Sequence, residues 1–139
     1  MILGAGIYQV PLIKTAKRMG LYTIVVSIPG NYPGFALAEK VYYENTVDDE
    51  KILEIARAEQ IDGIVTTGTD VCVITIGKVC DAMGLAGLSY KAAQIAVDKM
   101  LMKTKFFDQE VVFSCVFFYI LYSRVKFFIG IYTSDSAAA

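Results

Sequence analysis

Histidine and tryptophan are both missing from these 139 residues. Without histidine, imidazole acid–base chemistry and histidine metal ligation are excluded within the chain. Cysteine is scarce too: Cys72, Cys80 and Cys115 make an odd set with no C-x-x-C spacing. They read as reduced, buried apolar thiols in a reducing, cytoplasmic setting, not as a zinc site. Cys72 and Cys80 fall on similar faces of a helical stretch, which is a packing pattern. Neither charge sign is in excess, with 13 basic and 14 acidic residues and a net charge of −1. That balance leaves no electrostatic footprint for nucleic acid or an anionic membrane. No G-x-x-x-x-G-K-[ST] string occurs, so a P-loop is out. The opening MILGAGIY lacks a basic segment and a long apolar run, so no signal peptide is expected.

The length suits one domain, with enough chain for one real core. A strand–loop–helix unit recurs every 20–25 residues or so. Ile2-Leu3 reads as a strand, Gly4-Ala5-Gly6 as a turn, and 7–19 as a helix with Pro11 in its first turn and Gly20 at its end. Residues 22–28 (YTIVVSI) form a nearly unbroken β-branched run, the signature of a strand buried on both faces. Pro29-Gly30-Asn31 turns out of it. A short helix over 34–39, a strand over 40–44 and a helix over 49–59 follow, the last capped by Asp48 or Thr46. Residues 61–66 read as a fourth strand, 67–70 as a loop, 70–83 as a helix stopped by Gly84, and 85–89 as a short fifth strand. A helix over 90–97 leads to Asp98-Lys99, where another begins or continues. The expected fold is a three-layer Rossmann-like α/β domain over 1–108. It has a parallel sheet of at least four strands, right-handed crossovers, helices on both faces and the 22–28 strand inside.

From about residue 110 the character changes. The segment 111–132 holds five of the eight phenylalanines, and SDSAAA follows closely. Its uncharged run, 111–123, is 13 residues long, against about 20 for a membrane span. A membrane helix is therefore disfavoured. A pair of core strands stays open, but the composition favours a non-native or truncated terminus over 109–139.

Chemistry points to the carboxyl ends of the strands, where open parallel sheets bind ligands. Gly4-x-Gly6 follows a strand and precedes a helix, which lets a backbone approach a ligand and offers free N–H groups to an anion. A dinucleotide fingerprint also wants Gly or Ala at position 9 and an acidic residue ending the second strand. Gln9 and Ser27-Ile28 stand there instead. A tight turn with no ligand is the plain alternative. Thr67 and Thr69 offer hydroxyls to a small polar substrate, and Asp70 is either a helix cap or a ligand. Lys99 is either solvated or phosphate-facing.

The order of these elements resembles the N-terminal, pre-ATP-grasp domain of the ATP-grasp superfamily. That superfamily includes carbamoyl-phosphate synthase, biotin carboxylase and the purine-pathway carboxylate–amine ligases. The resemblance rests on GAGIYQVPLIKTAKRMG and on IDGIVTTGTDVCVITIGKVCDAMGLAGLSYKAAQIAVDKMLMKTKF, within residues 1–108. Its marks are Asp62-Gly63-Ile64, Gly84-Leu85, Gly87-Leu88-Ser89 and Asp98-Lys99. The resemblance implies that Lys99 reaches ATP, and that Gly4, Gly6, Thr67, Thr69 and Asp70 line the substrate side. It implies ATP and Mg2+ in the whole enzyme, a small-molecule substrate and phosphorylation of a carboxylate before attack by an amine or another nucleophile. The family's second ATP-contacting lysine, adenine clamp and magnesium carboxylates do not fit into the 31 residues after Asp108. The expectation is therefore a ligase fragment, inactive alone and lacking its ATP-grasp domain. The alternatives are a small Rossmann-like nucleotide- or metabolite-binding module, or a fragment of an NAD-binding oxidoreductase.

Overall fold

The computed structural model describes residues 1–108. The expectations for 109–139, Cys115 among them, lie outside the described residues. The chain divides into two compact units, Met1–Asp98 and Lys99–Ala139. The elements of the first are β1 (Ile2–Leu3), α1 (Val10–Arg18), β2 (Ile24–Ser27), a 3-10 turn (Phe35–Leu37), β3 (Lys40–Tyr43), α2 (Asp49–Ala58), α3 (Val73–Met83) and α4 (Tyr90–Val97). In the second unit, α5 (Lys99–Asp108) is described.

The fold is α/β with a parallel sheet in the order β1-β2-β3. All four residues of β2 are buried, and the strand is paired on both sides, as its apolar run predicts. Alternation along the strands splits the core in two. Leu3, Ile24 and Val26 face α2 and α3, joining Ile52, Leu53, Ala56 and Val79. Ile2 and Val25 face the other way, joining Ile13 of α1, with Phe35 and Leu37 of the 3-10 turn packed against them.

The expected fourth strand is reduced to one parallel bridge, Ile2 with Val65. Leu3 N donates to Val65 O at 3.0 Å, and Val65 N donates to Met1 O at 3.1 Å. The neighbour is the cause: β1 has two residues, so it can template little more than a bridge. Residues 85–89 carry no strand, so Val65 has no second neighbour and stays partly exposed.

The helix predicted over 7–19 begins instead at Val10. Gln9 N donates to Gly6 O at 3.0 Å, closing a turn ahead of the helix and leaving Ile7 and Tyr8 in solvent. Pro11 does lie in the first turn, where its missing N–H costs no helix bond. At the other end Gly20, at φ +75°, completes a Schellman stop. There Gly20 N reaches Lys17 O and Leu21 N reaches Ala16 O. Of the two candidate caps for α2, Asp48 is the one used, accepting from Lys51 N at 3.2 Å. The 34–39 helix is only the three-residue 3-10 turn. Gly84 (φ +66°) ends α3, as the sequence predicts, and Ser89, read from sequence as the end of a short strand, instead caps α4 by accepting from Ala92 N. No helix among the described residues is long and apolar enough to cross a membrane.

Candidate functional site

Three loops converge beyond the carboxyl ends of the strands. The first leaves β1 through Gly4, whose φ of +96° calls for glycine. Gly4 N donates to Val26 O at 2.8 Å, tying the loop to β2. The second leaves β2 and returns over the first: Gly34 N donates to Ala5 O at 2.8 Å. A Cβ on Gly34 would stand 2.7 Å from that same oxygen, so only glycine permits the approach.

The third loop, 66–70, is fastened at its start by two successive residues. Thr66 Oγ1 donates to Leu3 O at 2.7 Å, and Gln9 Nε2 donates to Thr67 O. Just after them Gly68 (φ +69°) lies against Tyr8, with space for no Cβ: one would come within 2.6 Å of the Tyr8 Cβ. Gln9 is thus the hub. Its side chain is 6% exposed, and its Cδ lies 3.0 Å from where a Gly4 Cβ would be. Its Oε1 lies 3.1 Å from the corresponding position on Gly6.

Of the residues singled out from sequence, the structure brings Gly4, Gly6 and Thr67 together around Gln9. Thr69 uses its hydroxyl locally, accepting from Val71 N at 3.4 Å. Asp70 is exposed, and the cap reading for it fails: the N-cap of α3 is Cys72, without a side-chain cap bond. The Asp70 carbonyl, not its carboxylate, accepts from Val73 N. Lys99 belongs to the second unit, where it is exposed as the first residue of α5. Gln9 and Gly34 are the two structural anchors that sequence reasoning passed over. Gln9 registered only as a break in the fingerprint, and Gly34 only as a helix start. A lone uncharged polar residue among Ile7, Tyr8 and Val10 was the available signal.

Among the described residues no group of three His, Cys, Asp or Glu side chains stands ready to hold a metal ion. Cys72 and Cys80 are buried and unpaired with each other, and burial pushes both thiols up. Away from the loops, at the amino ends of the strands, lies a cavity of about 480 Å³ lined by Ile2, Leu12, Ala16, Met19, Tyr22 and Ile64, among others. Its lining is mainly apolar, with Glu59, Asp62 and the amino-terminal Met1 among its charge-bearing residues.

No known family profile and no curated protein matches the sequence. Solved structures do. Phosphoribosylglycinamide synthetase from Anaerococcus prevotii matches at 31% identity and a TM-score of 0.73, over 77% of this chain and 28% of that one. N5-carboxyaminoimidazole ribonucleotide synthetase from Thermotoga maritima matches at 22% and 0.61, over 77% and 29%. L-amino acid ligase from Bacillus licheniformis matches at 20% and 0.62, over 81% and 30%. The latter two are alike in fold, while the first adds a likeness in sequence. In each case the chain spans less than a third of the matched structure. The chain has the Rossmann-like fold of the N-terminal domain of ATP-grasp enzymes, and it resembles that domain in sequence.

Proposed function

We propose that this chain is the N-terminal, substrate-side part of an ATP-dependent ligase that joins a carboxylate to an amine or a thiol, and that it is inactive alone. The observation that carries this reading is the match to phosphoribosylglycinamide synthetase, 31% identical over 77% of the chain. The three loops fit the role, because they converge where open parallel sheets take small ligands. Gly4, Gly6, Thr67, Thr69 and Asp70 are proposed as the substrate side, and Lys99 as a phosphate contact completed by the rest of the enzyme. A reducing, cytoplasmic setting suits two buried free thiols.

The described residues do not fit ATP and magnesium by themselves. No metal-holding cluster is present among them, and the glycine loop is filled by Gln9. Phosphoryl transfer needs cationic groups and magnesium ligands held around the triphosphate at once. A single lysine contact leaves little affinity after the cost of immobilising a flexible ligand. In this reading the missing ATP-grasp region supplies the nucleotide site and the reactive step.

Calorimetry of the full chain with magnesium and ATP is expected to show no measurable binding. Low-micromolar binding abolished by Lys99→Ala would overturn that expectation and show that the chain holds a fuller nucleotide site. The coding sequence beyond residue 110 tests the ligase reading itself: an ATP-grasp region in any frame supports it, and its absence from the locus overturns it.

A further inference from the structure

The geometry points to Gln9 as a specificity-determining stopper: its buried carboxamide fills the hollow over Gly4 and Gly6, and thereby shuts the glycine loop to a pyrophosphate group. This rests on the ligase reading only for where the nucleotide goes instead.

In a phosphate-binding glycine turn, the missing side chains leave room for a ligand's oxygens to reach backbone N–H groups. Here that room is taken. The Gln9 Cδ, Cγ and Nε2 lie 3.0, 3.3 and 3.3 Å from the ideal Cβ position of Gly4. On the far side, Oε1 is the atom within reach of the Gly6 position, at 3.1 Å. A Cβ at 4 or 6 would press on the carboxamide and make it give way, so the glycines accommodate Gln9.

Two further observations agree. Gln9 Nε2 donates to Thr67 O from a side chain that is 6% exposed. An incoming anion would have to break that sheltered bond, leaving a polar group unsatisfied. Pro11 also removes one N–H from the start of α1, weakening the helix end as an anion site. The loop is thus built as a latch between the strand ends.

The test is an NMR titration of the full 15N-labelled chain with inorganic pyrophosphate, following the amides of residues 4–10. The wild type should show no saturable shifts there. Gln9→Gly, and Gln9→Ala read beside it, should show saturable shifts confined to the loop, with binding at least about tenfold tighter than wild type. Gln9→Met keeps the length and loses the amide. It should behave as wild type, since bulk closes the hollow. Saturable shifts in the wild type overturn the proposal. So does a small variant with a dispersed, folded spectrum and no response. A Gln9→Met chain that binds pyrophosphate also overturns it, by assigning exclusion to the Thr67 bond alone. None of these failures touches the ligase reading, which is decided by the downstream coding sequence.

Discussion

At Glu39 one carboxylate holds three donors. It accepts from Thr23 N at 2.8 Å and from the Thr23 hydroxyl, and it pairs with Lys17 at 2.9 Å. Thr23 is buried ahead of β2, while Lys17 lies in the last turn of α1, so a single side chain ties helix to strand. The Thr23 hydroxyl first, and then Lys17, draw the Glu39 pKa from 4.5 down to about 2. A depressed carboxylate pKa means that the unfolded chain binds more protons than the folded one between these values. The stabilisation is complete above about pH 4.5 and disappears as pH falls through about 2. Glu39→Gln should lower stability at neutral pH and flatten the acid-side loss across that window. Urea denaturation at several pH values would show both effects, and parallel acid profiles for the two chains would refute them. Nothing in the sequence marks this residue, because its partners stand 16 and 22 positions away and meet only after the crossover forms.

At the scale of elements, α3 and α4 meet through Gly77. A Cβ there would come 2.8 Å from the Ala93 Cβ and 3.0 Å from Ser89 O. Gly77→Ala improves helix propensity by up to about 1 kcal/mol. The same methyl group overpacks a backbone contact, which costs about 1–3 kcal/mol. The second effect wins, so the variant should lose about 1–2 kcal/mol, seen as a lower urea midpoint. A higher midpoint would mean that α4 simply moves away. The sequence foretold both helices and the Gly84 stop, since these depend on local spacing and backbone chemistry. It foretold β2 for the same reason. It overreached at 61–66 and 85–89, where strand identity depends on a neighbour: β1 is too short to extend the ladder. It also overreached at residues 7–9, because apolar spacing reads Ile7 as helical while the Gly6–Gln9 turn holds it outside.

For the whole molecule, fold and site stand on different footings. The fold and the family likeness of the 1–108 segment were legible, because they need only the order of strands, glycines and helices. Of the candidate residues, the convergence of Gly4, Gly6 and Thr67 beyond the strand ends was legible. What was illegible is the filling of that edge by Gln9, a matter of side-chain direction that spacing does not encode. The chain spans less than a third of the matched enzymes' length.

The two buried thiols lie beneath different covers. Cys72, 1% exposed, follows closely on the 66–70 loop that Gln9 fastens. Cys80 lies beneath Gly87, where a Cβ would be 2.7 Å from its Sγ. Each thiol can meet a bulky reagent only when its own cover lifts, so its labelling rate is a clock for that local opening. The two clocks should run independently. Gln9→Met should speed labelling at Cys72 several-fold and leave Cys80 unchanged, while a substitution at Gly87 should do the reverse. Equal acceleration of both sites in either variant would mean that the first unit opens as a single piece.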